Sequence, residues 1–261
     1  MQRLQNAYSA LNHANRQIRD IVEIIERTPP FSYCVETDLR SCERAILVVK
    51  KDSIIDQIIM TCGSAIETLN SSLNYAYYEI VKRYTKGEKE LVKLDFPFAE
   101  SQERMESVFK NRLANRVGNA FTDAILQLRP YKGGDDLFWL ISKFSNIKKH
   151  RNPISHAEHR NITAATIRQY VSDFPLNASS NFTIFSAKKD VVWKMRPSYS
   201  DPFGFGEIVP PSLTTYRRTI NIPVNLIFRD DAISAPLYVA DTLQSMYAKV
   251  DGALTILKKF A

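Results

Sequence analysis

Cysteine and histidine are scarce in this chain, with three and four copies in 261 residues. Cys34, Cys42 and Cys62 are odd in number and show no metal-ligand spacing, so neither a complete disulfide framework nor a zinc site is expected. The first residues, Met1-Gln2-Arg3-Leu4-Gln5-Asn6, lack the apolar centre of a secretory leader. No stretch approaches the roughly 18 uncharged apolar residues of a membrane span. Reduced thiols, a cytoplasmic location and no membrane partner are therefore expected. There is no glycine-rich phosphate loop, nucleophile elbow or pair of catalytic carboxylates. Gly204 and Gly206 stand in a proline-rich loop with no helical pattern behind them. No internal repeat or low-complexity run is present. No cofactor and no metal are expected.

Apolar residues make up 44% of the chain, enough for a true core rather than disorder. The net charge is +7. A basic balance favours phosphate-bearing partners, although the excess is modest and spread along the chain, as on any basic soluble surface.

The hydrophobic pattern predicts an α+β fold. Leu4, Tyr8, Leu11, Ile18, Ile21, Val22 and Ile25 recur at helical spacing until Pro29-Pro30 stops them. Phe31 to Leu39 and Ala45 to Lys50 read as a hairpin with its turn at Ser41-Cys42-Glu43. Asp52 or Ser53 is a suitable cap for a long helix from about Ile54 to Tyr84. Further helices are expected over Gln102–Val117 and Asn119–Leu128, then a turn at Pro130-Tyr131-Lys132-Gly133-Gly134. Asp135 opens the next helix, whose predicted buried stripe is Leu137, Phe138, Leu140, Ile141, Phe144 and Ile147. Phe182–Phe185 and Val191–Met195 read as strands paired around Lys188-Lys189-Asp190, and Tyr216–Phe228 as another. A helix from about Pro236 to Phe260 closes the chain. The expected whole is one α+β domain over residues 1–261. A helical core occupies about 1–175, a hairpin 31–50 and a β-rich segment about 180–230. The strands form one antiparallel sheet packed on the helices, and the final helix, about 236–260, packs back.

The segment that points to chemistry is His150-Arg151-Asn152-Pro153-Ile154-Ser155-His156. Asn is a good helix cap and Pro a favoured first helical residue, so one helix should end near Arg151 and another start at Pro153. Asn152 and His156, four apart, then share a face, and Arg151 has the reach to join them. Lys148, Lys149 and His150 flank the new helix start, where exposed amides suit a phosphate. An Arg fork grips phosphate oxygens, and a His titrating near neutrality moves protons. With a ribose 2′-hydroxyl as nucleophile, these groups suffice for metal-independent RNA cleavage. The plainer reading is structural: cations in a last helical turn complement its dipole, and Asn caps whatever follows.

Arg151-Asn152-Pro153-Ile154-Ser155-His156 resembles the Arg-polar-three-His motif of the HEPN superfamily. The resemblance implies a helical bundle, a homodimer with Arg151 and His156 in a cleft at the dimer interface, and metal-independent endoribonuclease activity of the toxin, defence or CRISPR-associated kind. It implies that Arg151 and His156 are catalytic, that Asn152 orients them, and that a restraining protein partner is possible. Lys148, Lys149, His150 and His159 are the candidate RNA contacts. The alternative is a non-catalytic binding or scaffold protein in which the Arg/His pair is structural.

A wider stretch resembles a family of uncharacterised bacterial and phage proteins. The resemblance covers Gly63 to Tyr78, Arg129 to Asp135, Asn146 to Arg151 and the strand-plus-helix end. It implies the order helix, hairpin, long helix, Lys-His-Arg segment, strands, final helix. The chain departs from that pattern with Asn70 and Asn74, where Arg and Asp are usual, and with Lys148, where Asp is usual. A buried ionic network is thus missing or rewired. In that family the Lys-His-Arg segment leads into a strand, which would take His156 off a helix.

The remaining features have plain readings. His159 with Arg160, and His13, read as solvated surface. Tyr75, Tyr77, Tyr78 and Tyr84 are able to stack on bases, but aromatics on a long helix more often pack a core. Glu67 and Glu79 are candidates to tune His156.

Overall fold

The computed structural model describes residues 4–38, 43–86, 91, 94–148, 168–169, 189–195, 215–220, 226–228 and 237–261. Contacts divide the chain into two compact units. Met1–Glu23, Gln57–Ser155 and Phe228–Ala261 make a helical unit, and Ile24–Asp56 with His156–Ile227 a β-rich one. The fold is α+β, as the periodicity predicts, and ends in a helix.

The helical unit holds α1 (Gln5–Arg27) up to Glu23, and α1 buries Ala7, Leu11, Ala14, Ile18 and Ile21. That 4-3-4-3 spacing is one face of a helix. The 32-residue α2 (Asp52–Arg83) is buried over a wider arc, from Ile58 and Cys62 through Leu69 and Tyr77 to Val81. Small residues let α1 and α2 approach closely enough to hydrogen-bond. Ser72 Oγ donates to the Ala7 carbonyl at 2.8 Å, and Gln17 Nε2 donates to Ser64 Oγ at 2.7 Å. Lys82 and Arg83 end α2, where cations complement the exposed carbonyls.

The single helix expected over Gln102–Val117 is instead three pieces. A 3-10 turn over Gln102–Arg104 leads into α3 (Met105–Asn111), and a second 3-10 turn follows over Ala114–Arg116. Leu113 breaks it, at φ +63°, a left-handed conformation that is unfavourable for a β-carbon-bearing residue. No proline or glycine marks that break. Then α4 (Asn119–Gln127) follows Gly118, whose φ of +122° suits glycine alone.

The turn at 130–134 is present. Gly134 approaches the Arg129 carbonyl so closely that a β-carbon would lie 2.5 Å from its oxygen. This turn delivers Asp135 to the start of α5 (Asp136–Lys148), where Asp135 Oδ1 accepts the Phe138 N–H at 3.2 Å. Its other oxygen holds Lys249 of α6 (Val239–Leu257). Phe138, Leu140, Ile141 and Phe144 are buried, matching four of the six expected stripe positions, while Leu137 is half-buried. Phe144 stacks on Phe228 at 5.4 Å. An aromatic cluster ties the unit together: Tyr77 stacks on Phe121 and meets Phe96 edge-on, and Phe121 meets Phe260. Such pairs add about 0.5–1.5 kcal/mol each beyond simple burial.

In the β-rich unit, β1 (Phe31–Asp38) and β2 (Glu43–Lys50) form the expected hairpin, with Phe31 opposite Lys50 and Asp38 opposite Glu43. Glu43 is a strand residue rather than part of the turn. The sheet order is β3-β2-β1-β4, antiparallel throughout, with β3 at Lys189–Met195 and β4 at Thr215–Ile220. The expected turn at Lys188-Lys189-Asp190 is corrected at two of its residues. Lys189 and Asp190 extend β3 and pair with Val49 and Val48. The β-branched run of β2 offers an edge on which pairing continues past the polar residues. Phe182–Phe185 lies outside the described residues. Within the strand expected over Tyr216–Phe228, the described strand residues are β4 and β5 (Ile227–Phe228). β5 pairs with β6 (Leu237–Tyr238), so the strands form two sheets rather than one.

Asp135 both caps α5 and ties it to α6. Asp135→Ala should destabilise by about 1–2 kcal/mol. Asp135→Asn keeps a capping oxygen and should lose less than half of that, because a partly exposed ion pair contributes little. Thermal unfolding of the two variants checks this. Equal losses, or none, would contradict the capping role.

Candidate functional site

Of the residues that the motif singles out, the structure describes the backbone of Lys148, the last residue of α5. Lys149, His150, Arg151, Asn152, His156 and His159 lie outside the described residues. Of the groups proposed to tune His156, Glu67 is exposed on α2 and Glu79 half-buried. His13 is exposed on α1, as expected.

The tyrosines of α2 divide in two. Tyr77 is fully buried and its hydroxyl donates to the Arg112 carbonyl at 2.7 Å. Burial pushes its phenol well above the ordinary value, opposed by the nearby Arg112 charge. Tyr77 is therefore core. Tyr75 and Tyr84 are half exposed, and Tyr78 carries the Lys82 ammonium 5.7 Å from its ring centre.

A cleft of about 1030 Å³ lies in the helical unit. Its walls come from four separate stretches. On α2, Asn70 and Asn74 stand one turn apart. Asn74 Oδ1 accepts the Phe96 N–H at 2.8 Å, fixing the 94–100 segment. Asn70 Nδ2 donates to Ser145 Oγ at 3.2 Å, fixing α5. The Asn74 amide NH₂ and the Asn70 carbonyl then have no partner among the described residues.

The second wall is one face of α5. Trp139, Ser142, Lys143 and Asn146 line the cleft at spacings 3, 1 and 3, while Phe138, Ile141 and Phe144 point into the core. The Trp139 ring is half-buried, with Lys143 Nζ 4.8 Å and Lys132 Nζ 5.7 Å from its centre. Lys132 arrives from the 130–134 turn, held by the bridge between Ala99 and Tyr131. The third and fourth walls are the 94–100 segment, with Asp95 and Glu100, and the α3 region, with Arg104 and Arg112.

The lining carries four cations against two carboxylates. Arg112 Nη1 meets Asp95 Oδ2 at 3.1 Å, so that carboxylate is offset locally. What remains is cationic, with an indole face and neutral amides. No histidine or cysteine is among the described residues that line the cleft. Such a lining is chemically complementary to an anion with a flat aromatic part. Among the described residues, no group of three or more His, Cys, Asp or Glu side chains is placed to hold a metal ion. No helix among them is long and apolar enough to cross a membrane.

Reasoning from sequence missed this cleft. Asn70 and Asn74 stood out only as departures from a family pattern, and Trp139, Lys143, Arg104 and Arg112 not at all. The one available signal was the polar trio Ser142, Lys143 and Asn146 beside the apolar stripe Phe138, Ile141 and Phe144. Compared with known proteins, the chain matches no family model, no curated protein and no solved structure.

Burial keeps the Tyr33 and Tyr77 phenols neutral in the folded state, while in the unfolded chain they ionise near pH 10. Unfolding then releases protons, so stability should fall as pH rises past about 10. Tyr77→Phe should cost about 1 kcal/mol at neutral pH through its lost hydrogen bond. The variant should also flatten the alkaline decline in chemical-denaturation profiles. A decline as steep as that of the parent would contradict the account of Tyr77.

Proposed function

We propose that this chain is a HEPN-like protein acting on RNA as a metal-independent endoribonuclease of defence or toxin type. It works as a cytoplasmic homodimer held in check by a protein partner. Arg151 holds the phosphate charge, Asn152 orients the pair, and His156 handles the proton. The 2′-oxygen attacks the adjacent phosphorus, a P–O2′ bond forms, and the P–O5′ bond breaks. The hydroxyl proton passes to the base, and a proton is returned to the leaving 5′-oxygen. The products are a cyclic phosphate end and a 5′-hydroxyl end.

The observation that carries the reading is the placement of α5. One face of this helix lines a cationic, aromatic-bearing cleft, and its last residue, Lys148, stands three positions before Arg151 in the chain. The mostly helical unit that holds the cleft is consistent with a HEPN-like core. Lys148 and Lys149 add positive charge beside the motif, with His150 and His159 as further RNA contacts, and non-specific attraction to RNA rests on such charge.

Total cellular RNA incubated with pure protein and EDTA tests the reading. Cleavage should survive the chelator. His156→Ala and Arg151→Ala should each lower it by at least about a hundredfold, while the melting temperature moves little. Cleavage retained by folded His156→Ala would refute the assignment. An uncut RNA pool together with a lowered melting temperature for Arg151→Ala would favour the non-catalytic scaffold.

A further inference from the structure

We infer that the cleft between α2 and α5 is a docking site for single-stranded RNA, with one unpaired base held against Trp139. The choice of RNA over other polyanions rests on the proposed function; the site itself rests on its own geometry.

Four observations support it. The indole of Trp139 is half-buried and is part of the cleft lining. Stacking on such a face is the common way to hold an unpaired base, because every base has a π-face. Lys132 and Lys143 stand 5.7 and 4.8 Å from the ring centre, on long flexible arms. A base that takes the ring face displaces an ammonium toward the phosphates on either side of that nucleotide. Arg104 extends the cationic lining.

The Asn70 carbonyl and the Asn74 amide NH₂ supply one acceptor and one donor at the opposite wall. Base edges and 2′-hydroxyls present the complementary pattern. Finally, about 1030 Å³ is at the upper end for a small-molecule pocket, and exceeds what one nucleotide fills. A short strand fits this volume. A duplex does not fit this chemistry, because its base faces are already stacked inside the helix. Of the two carboxylates in the lining, Asp95 pairs with Arg112.

The experiment uses the full chain carrying His156→Ala, so that the probe is not consumed. Fluorescence anisotropy follows binding of 5′-fluorescein oligouridine and oligoadenosine of about ten nucleotides, within the usual span of such sites. Trp139→Ala should weaken binding about ten- to hundredfold, and Trp139→Phe should recover most of it. Joint Lys132→Ala and Lys143→Ala should weaken binding and flatten its dependence on salt. Circular dichroism confirms that each variant is folded.

Unlabelled duplex RNA should compete poorly. Binding left unchanged by both the tryptophan and the double-lysine variants, or equal competition by duplex, would overturn the inference. The two readings fail separately. Cleavage that depends on His156 while binding ignores Trp139 sinks the docking site and leaves the ribonuclease standing. Binding that depends on Trp139, with no cleavage by the unaltered protein, does the reverse.

Discussion

Two asparagine side chains, one helical turn apart on α2, hold the cleft open. Asn74 fixes the 94–100 segment through the Phe96 amide, and Asn70 fixes α5 through Ser145. Each amide spends one half of its hydrogen-bonding capacity on a wall and has the other half left over. A buried ion pair at these positions would join the walls more tightly but leave nothing for a ligand, because a salt bridge in low dielectric must satisfy itself. Neutral amides make the arrangement stable without full mutual satisfaction.

Around that frame, α5 serves two surfaces. Phe138, Ile141 and Phe144 anchor it in the core, and Trp139, Ser142, Lys143 and Asn146 form its cleft-lining face. Tight core packing on one side gives the polar side a fixed geometry. Asp135 fixes the start of the helix, through its cap and through Lys249. The aromatic cluster around Tyr77 and Phe96 then holds α2 and the 94–100 segment together. Binding surface and core are thus two faces of the same few elements.

Much of the fold was legible in the sequence. α1, α2, α5 and the closing helix follow from apolar residues at helical spacing, and the first hairpin from its β-branched strands. The rest needed information that is not local. The left-handed Leu113 has no signal in composition. The pairing of β3 with β2 joins residues about 150 positions apart, a distance at which periodicity cannot choose a partner. The cleft is less legible still, because its walls come from four stretches between Asn70 and Asn146, each ordinary in isolation. The Arg-Asn-x3-His segment was the reverse case: plain in the sequence through its residue types, and lying outside the described residues.

The central claim is that RNA lies against the helical unit along α5. Photo-crosslinking with single-stranded RNA carrying 4-thiouridine, followed by peptide mass spectrometry, tests it most directly. The account predicts adducts on the peptide that contains Trp139 and on peptides covering residues 148–159. Adducts confined to the sheet, on the strands at 31–50 or 215–220, would contradict it.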